Sequence, residues 1–212
     1  LYNTSATGFR VWNNIIYDWH GSAGSQGIHI AAATSAGCPV YNNTVYNCEG
    51  EGIYGQLNSG VSAKNNLVYN CGAGFSATTF HTSSTNNLSG PSTSDAPGTS
   101  ARNAQTVMFV DTASRDLRLD SLDPGAKDYG ASLVSDGVLP FSYDIAGEAR
   151  NIWDIGADEY VKPDPKYWDN MSGDGFWSTA ENWEPDGVPT ALDSVVFSGT
   201  YSTANCSLDV PA

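Results

Sequence analysis

The chain has 212 residues, of which 40% are hydrophobic, so it can bury a core in one large domain or in two modest ones. Its formal net charge is −14 and it has no cluster of Lys and Arg, which excludes nucleic acid and anionic membranes as partners, because a phosphate backbone needs basic side chains to displace its counterions. No apolar run approaches the roughly 18 residues of a membrane span. Gly, Ser, Thr, Asn and Tyr are abundant, a composition common in secreted β-structure.

A phrase made of a glycine, a short apolar alternation, a variable loop and two asparagines occurs four times in the first ninety residues. The second asparagine of each pair recurs at spacings of 29, 23 and 21 residues, a period typical of a solenoid. An asparagine in this position tolerates a left-handed bend, and its amide can donate to one neighbouring coil and accept from the other. The predicted ladder consists of Asn14, Asn43, Asn66 and Asn87.

Tyrosines follow the first three ladder asparagines at a distance of three residues, at Tyr17, Tyr46 and Tyr69. Since neighbouring coils lie about 4.8 Å apart, these rings are predicted to stack face over face. Both rows are interpreted as scaffold without a ligand. Cys48 and Cys71 each lie five residues after a ladder asparagine, so we expect them on adjacent coils, where a disulfide and a stack of reduced thiols both fit.

The residues after each glycine alternate as in a β-strand, with one outward side chain between two that face the core. Aligning the glycines of three coils places Arg10, His29 and Tyr54 in one outward column, a candidate glycan-binding groove to which Trp12 is added. His29 and Arg10 are also weak candidate catalytic residues, because a polysaccharide lyase needs a base and a cation at its acidic sugar. No pair of carboxylates repeats with them, so solvated outer-face residues are the favoured interpretation, and no catalytic residue is assigned.

These coils resemble those of right-handed parallel β-helix proteins, in particular secreted bacterial proteins with NNxxY coils, over residues 1–161. The resemblance implies an all-β parallel β-helix, a solenoid, that ends in a loop-rich segment at about residues 89–161. Residues 89–105 are rich in Ser, Pro, Gly and Thr and are predicted to leave the last regular coil as a long loop. The stretch LDPGA at Leu122–Ala126 departs from the family pattern. The positions that match the family's closing motifs are Phe109, Asp111, Arg118, Leu119, Asp144, Gly147, Arg150, Asp154, Gly156 and Glu159.

Three arginines of the closing segment stand among several aspartates, and ion pairs that hold the terminal loops together are the simpler interpretation. Bound calcium is the alternative, because hard cations favour clustered carboxylates, although the chain has no D-x-D-x-D-G loop. No other cofactor or metal is expected, since no CxxC or His-rich spacing indicates zinc. The residues concerned are Arg115, Arg118, Arg150, Asp111, Asp116, Asp120, Asp144 and Asp154.

Two prolines in the stretch VKPDPK indicate a linker at residues 162–166, and a different, small β-module follows at residues 167–212. Its motifs resemble the start of the β-strand repeats of large, autotransporter-like bacterial surface proteins. Its tryptophans are interpreted as the core of a small sheet, and sugar binding is the alternative. The matching positions are Trp168, Asp169, Gly173, Asp174, Gly175, Trp177, Asn182, Trp183, Val188, Pro189, Asp193 and Phe197.

The sequence therefore predicts a secreted or cell-surface structural protein, whose copies associate end to end into a fibre or stalk or which forms part of a larger adhesin. The predicted self-association depends on the chain ends, Leu1–Phe9 and Cys206–Ala212, because an uncovered β-helix end exposes unpaired backbone groups. The alternatives are a carbohydrate-active enzyme, a lyase or glycosidase acting on an extracellular polysaccharide, and a non-catalytic glycan-binding segment. An enzyme is the less favoured interpretation.

Overall fold

The computed structural model describes residues 9–21, 24–31, 38–56, 60–77, 79–190 and 193–209. The chain is all-β, as predicted, and it divides into two compact units, Leu1–Tyr160 and Val161–Ala212. No helix in the described part of the chain is long and apolar enough to cross a membrane.

The strands of the first unit are β1 (Val11–Trp12), β2 (Ile15–Tyr17), β3 (Ile28–Ile30), β4 (Cys38–Tyr41), β5 (Thr44–Tyr46), β6 (Glu51–Gly55), β7 (Val61–Lys64), β8 (Leu67–Tyr69), β9 (Ala73–Ala77), β10 (Leu88–Gly90), β11 (Phe109–Asp111) and β12 (Asp116–Leu119).

The first ten strands form three parallel sheets, and the first nine of them join sheets A, B and C in turn. Sheet A has the order β1-β4-β7, sheet B the order β10-β8-β5-β2, and sheet C the order β3-β6-β9. Coil 1 therefore contains β1 to β3, coil 2 contains β4 to β6, coil 3 contains β7 to β9, and coil 4 contains β10. These stacked parallel sheets confirm the predicted β-helix.

The asparagine pairs make the bend between sheet A and sheet B, and the two members of a pair have different tasks. The first asparagine takes the left-handed conformation, with φ values of 50° at Asn13, 47° at Asn42, 53° at Asn65 and 50° at Asn86. Asparagine tolerates this region because its short polar side chain can hydrogen-bond locally. The left-handed bend that was predicted for the ladder asparagine thus belongs to the residue before it.

The second asparagines form a ladder along the stack. Asn14 Nδ2 donates to Asn43 Oδ1 at 2.9 Å, and Asn43 Nδ2 donates to Asn66 Oδ1 at 3.0 Å. Asn66 Nδ2 continues the row to Asn87 Oδ1 at 2.9 Å. Each of these oxygens also accepts the backbone N–H of the asparagine on the preceding coil, so every step of the ladder contains two hydrogen bonds. The last three amides are fully buried, so they depend on these partners.

A second polar row stands at the bend between sheet B and sheet C. Asp18, Asn47 and Asn70 take the left-handed conformation there, with φ values of 53°, 55° and 56°. Asn70 Nδ2 donates to Asn47 Oδ1 at 3.0 Å, and Asn47 Nδ2 donates to Asp18 Oδ1 at 2.6 Å. The carboxylate of Asp18 has no hydrogen to donate onward, and its second oxygen pairs with Arg115. Asp18 and Arg115 therefore end this row at coil 1.

Apolar side chains from all three sheets fill the interior of the stack. The glycine that precedes each sheet C strand is required by this packing, because a Cβ at Gly27 would lie 2.4 Å from Val45 Cγ1 and one at Gly52 would lie 2.1 Å from Val68 Cγ1. The repeated glycine thus serves the core and needs no ligand to explain it. The main core residues are Val11, Ile28, Ile30, Val40, Val45, Ile53, Val61, Val68 and Phe75.

The closing segment, residues 106–160, packs on the outer face of sheet B. Leu67 and Leu88 are fully buried against this segment. Val68, the neighbour of Leu67, faces the opposite side of the sheet and packs inside the coils. The antiparallel hairpin β11–β12 belongs to this cover. The first unit therefore has one hydrophobic core inside the coils and another between the coils and their cover. The cover contributes Val107, Leu119, Ala126 and Ile155 to the second core.

The first asparagine of each pair turns its amide toward the backbone of the closing segment. Asn65 exchanges two hydrogen bonds with Ala131, each 2.8 Å long. The same residues that bend the chain therefore anchor the cover. The other three amides donate to carbonyl oxygens, Asn13 to Tyr143 at 2.7 Å, Asn42 to Gly156 at 3.0 Å and Asn86 to Tyr129 at 2.8 Å.

In the tyrosine row, Tyr46 and Tyr69 stack with parallel rings as predicted, but the rings are offset. The Tyr46 and Tyr69 rings are nearly parallel, at 9°, but their centroids are 6.5 Å apart, which exceeds the spacing between coils. Phe109 of the hairpin meets both rings edge-on, at 5.6 and 5.9 Å. The tyrosines are therefore offset against each other and pack against the cover, while Tyr17 at the end of the row is 46% exposed.

Residues 89–105 do not leave the stack as a long loop, contrary to the prediction. Strand β10 continues to Gly90, and Thr99 and Arg102 then form parallel bridges with coil 4. The segment is a partial fifth coil. The sequence of this segment shows no hydrophobic alternation. Hydrogen bonds between polar groups attach it to coil 4, such as the 2.9 Å bond from Thr99 Oγ1 to Thr85 Oγ1.

The second unit contains a three-stranded sheet of order β14-β13-β15. Its strands are β13 (Lys166–Trp168), β14 (Trp183–Glu184) and β15 (Val195–Val196), and a short 3-10 turn spans Ala180–Asn182. β13 pairs antiparallel with β14 and parallel with β15. The rings of Trp168 and Trp183 are fully buried and lie 5.1 Å apart. These two tryptophans therefore belong to the core and cannot stack on a sugar.

Replacing Asn43 by Ala is expected to destabilise the first unit by about 2–4 kcal/mol, because buried partners on both neighbouring coils lose their hydrogen bonds. Asn14→Ala is the matched control, since Asn14 lies at the exposed end of the same ladder, and a loss of about 1 kcal/mol is expected there. Urea unfolding followed by circular dichroism measures both values. Equal losses in the two variants would contradict a role for burial.

Candidate functional site

The outer face of sheet C carries a column of partly exposed side chains. His29 pairs in register with Tyr54, and Tyr54 pairs with Ser76, so the three residues follow one another across coils 1 to 3. The closing segment packs elsewhere, over Leu67 on sheet B and Tyr41 on sheet A. The closing segment therefore leaves this column of sheet C accessible.

The rings of His29 and Tyr54 are in contact, with centroids 4.8 Å apart and planes tilted by 48°. His29 Nε2 lies 3.2 Å from Gln56 Oε1 on the next coil. This group offers an aromatic surface beside an imidazole and an amide, which can exchange hydrogen bonds with hydroxyl groups. The next position in the column is Ser76 rather than an acid, so the column has no pair of carboxylates for glycoside hydrolysis. Its chemistry suits binding better than acid–base catalysis.

Arg10 and Trp12 do not join this column, contrary to the alignment of the glycines. Trp12 lies in β1 of sheet A, and Arg10 directly precedes that strand. The alignment fails because the glycine of coil 1 stands only six residues before its ladder asparagine, whereas Gly27 stands sixteen residues before Asn43. The phrase in coil 1 therefore runs directly into sheet A. Trp12 is 42% exposed on that sheet, and the described part of sheet C has no cation that could neutralise an acidic sugar.

The largest concentration of buried charge surrounds Arg150 in the closing segment. Its side chain is 0% exposed and donates to Glu159 Oε2 at 3.2 Å. It also donates to the carbonyl oxygens of Gly156 and Ala157 at 3.0 and 2.8 Å, and it lies over the ring of Trp153 at 5.5 Å. These partners belong to the closing turn of the segment. Arg150 also donates to Asn13 Oδ1 of coil 1 at 3.3 Å, so it fastens that turn and connects it to the coils.

The buried carboxylates of the closing segment accept backbone N–H groups. Asp154 accepts those of Asp128 and Tyr160, each at 2.6 Å, although burial raises the pKa of Asp154 to about 6. Asp123 and Asp144 hold local turns in the same way. Asp144 and Asp154, two acids at family motif positions, thus stabilise the cover by accepting hydrogen bonds from its backbone.

Asp158 brings two further carboxylates into reach. Its Oδ2 accepts the backbone N–H of Leu119 at 2.9 Å, and burial raises its pKa to about 7. One carboxylate oxygen from each of Asp144, Glu148 and Asp158 lies within 4.8 Å of the others. In the described residues this trio is the set that could hold a cation. Of the aspartates considered for calcium, Asp144 belongs to this trio, and it also accepts the backbone N–H groups of Ala146 and Glu148.

Arg115 and Arg118 both form ion pairs, as expected, but only one of these pairs lies within the closing segment. Arg118 pairs with Asp116 at 2.6 Å, within its own strand. Arg115 reaches Asp18 of coil 1 instead of an acid of its own segment. A third link joins Lys64 of sheet A to Asp136 at 2.5 Å, where both side chains are largely buried.

Comparison with known proteins agrees with the coil architecture. A family model described as the right handed beta helix region matches residues 1–110, which is just over half of the chain. The match includes all four coils and the partial fifth coil, and it ends within β11. No curated protein and no solved structure matches the chain.

Replacing Asp158 by Asn is expected to change the pH dependence of stability. The folded pKa of about 7 lies well above the ordinary pKa of an aspartate, so the protonated acid stabilises the fold at low pH, and this contribution is lost as the pH rises toward 7. Asn retains an oxygen acceptor for Leu119 but carries no charge. Relative to the wild type, the variant should therefore gain on the order of 2 kcal/mol between about pH 4 and about pH 8, as measured by urea unfolding.

Asp111→Asn is a control of opposite sign. The hydroxyl of Ser114 donates to the Asp111 carboxylate and lowers its pKa, so the wild-type contribution is present above the unfolded pKa and is lost as the pH falls. This variant should lose stability relative to the wild type as the pH rises through about 4. A constant difference between Asp158→Asn and the wild type across the pH range would refute the assignment to burial.

Proposed function

Because this chain belongs to the right-handed β-helix family, we propose that it is a structural module of a secreted or cell-surface protein, in which the stacked coils serve as a rigid scaffold. The resemblance of the closing segment to secreted bacterial β-helices supports this location. The resemblance of residues 167–212 to β-strand repeats of surface proteins supports it as well.

The observation that carries the proposal is the use of polar side chains within the coils. The buried asparagines donate to and accept from neighbouring coils, and the buried acids accept backbone N–H groups of the cover. A catalytic group must instead hold its hydrogen-bonding capacity ready for a substrate. The buried asparagines therefore hold coil on coil, and the buried acids hold the turns of the cover.

The same ladder supports end-to-end association of copies as the form of the scaffold. Coil 1 supplies the edge strand of each of the three sheets in the described part of the chain. The hydrogen bonds of the ladder all run in one direction, because each amide donates to the asparagine of the following coil. An asparagine from a coil of another copy can therefore donate into Asn14 Oδ1, which accepts no hydrogen bond from the described residues. Residues 1–8 and 210–212, parts of the two ends predicted to associate, lie outside the described residues.

Sedimentation velocity over a range of concentrations and negative-stain electron microscopy test this association. We expect rods that lengthen with concentration. Trp12→Lys places a charge beside the coil 1 edge and should weaken association by at least about tenfold. Val138→Lys is the matched control, since Val138 in the cover is 46% exposed and Trp12 is 42% exposed. A monomer at all concentrations would exclude end-to-end assembly and leave the scaffold role to a single copy.

The contact between His29 and Tyr54 favours a second candidate function, the binding of an extracellular glycan along sheet C. A sugar ring can lie against the aromatic surface, while His29 and Gln56 exchange hydrogen bonds with its hydroxyl groups. The absence of an acid in the column of paired residues makes this a binding role without catalysis.

A glycan array followed by titration calorimetry tests the second candidate. Tyr54→Ala should weaken binding of any captured glycan by about tenfold or more, because the stacking surface is lost. Tyr143→Ala is the control, since Tyr143 is 59% exposed in the closing segment. Equal affinity in both variants would place the binding surface elsewhere, and cleavage of the captured glycan would require an enzymatic role.

A further inference from the structure

Two free thiols lie side by side where coils 2 and 3 bend from sheet B into sheet C. Cys48 and Cys71 each stand two positions after a tyrosine, and those tyrosines are paired in register. The backbone N–H of Cys48 lies 3.4 Å from Cys71 Sγ, and the carbonyl oxygen of Cys48 accepts the N–H of Gly72 at 3.1 Å. The two bends are therefore held against each other by their own backbones.

This geometry suits a covalent link. Equivalent residues on adjacent coils have Cα atoms about 4.8 Å apart, within the range of about 4.4–6.8 Å that disulfides require. We propose that Cys48 and Cys71 form an oxidation site, at which a disulfide joins coil 2 to coil 3. The role is independent of the scaffold function, since any use of the coils would gain from the link.

The surroundings of the two sulfurs support a reactive pair. Cys48 is 2% exposed and packs in the core, while Cys71 is partly exposed and gives a small oxidant access to the pair. The hydrogen bond with Cys71 lowers the pKa of Cys48 to about 7, so one thiolate forms near neutral pH. The pKa of Cys71 is raised, because its thiol then donates to that thiolate. A thiolate is the form of cysteine that attacks disulfides.

The reaction balances with a small disulfide, such as oxidised glutathione, as the oxidant. A thiolate of the pair attacks one sulfur of the oxidant, which forms a mixed disulfide and releases one thiol of the oxidant. The other protein thiol loses its proton, attacks the protein sulfur of the mixed disulfide and releases the second thiol. The two cysteines lose two electrons in total, and the oxidant takes them up as two thiols.

The remaining two cysteines do not compete for this reaction. Cys38 lies in β4, where its register partner is Val61, and burial raises its pKa. Cys206 belongs to the second unit. Among the described residues, Cys48 and Cys71 are therefore the two cysteines at equivalent positions on adjacent coils.

Oxidation of the whole chain by a glutathione redox series tests the site. The four thiols of the reduced chain should fall to two, as counted with a thiol reagent in denaturant. Proteolysis without reductant and mass spectrometry should identify one peptide pair that contains Cys48 and Cys71. The melting temperature of the first unit should rise by about 5 °C or more, because the link lowers the conformational entropy of the unfolded chain.

Cys38→Ser is the matched control and should show the same loss of two thiols and the same rise in melting temperature. Cys71→Ser should instead keep all its thiols unlinked and should melt at the same temperature in the reduced and oxidised buffers. Four free thiols in the oxidised wild type would overturn the proposal. A mapped disulfide that contains Cys38 or Cys206 would overturn it as well, and this mapping needs no variant.

Discussion

The hydrogen bonds between stacked asparagine amides constrain every other part of the first unit. Asn43, Asn66 and Asn87 are fully buried, so a coil displaced by one residue would leave an amide without a partner in the interior. The ladder stands at the bend between sheet A and sheet B, and it therefore sets the register of both sheets together. The packing of apolar side chains inside the coils follows from that register, because a slip of one residue would turn each strand inside out.

The asparagine ladder could be predicted from the sequence because its members recur at one position of a repeat. The row of Asp18, Asn47 and Asn70 has the same kind of signal, since each member lies four residues after a ladder asparagine. This row was not predicted, because its first member is an aspartate and the three positions therefore do not share one residue type. The place of Arg10 could not be predicted from its glycine, since the connection from sheet C to sheet A varies in length from coil to coil.

The cover was less accessible to sequence reasoning, because its contacts join residues far apart without a repeat to relate them. Phe109 and Asp154 were recognised as motif positions, yet the motif does not say that Phe109 meets tyrosine rings or that Asp154 holds backbone N–H groups. The partial fifth coil was missed for a related reason. It joins coil 4 through the single bridges of Thr99 and Arg102, two polar residues that a hydrophobic alternation cannot reveal.

The distance along the chain between a bend and its anchor has a consequence for the order of folding during synthesis. Successive coils can pair as soon as they leave the ribosome, because their partners are only 21 to 29 residues apart. Asn42 must wait for Gly156, which is 114 residues later, and Asn13 must wait for Tyr143, which is 130 residues later. Until then Leu67 and Leu88 face water. The nascent chain thus passes through a stage with paired coils and an uncovered apolar strip, at which holding chaperones have the most to bind.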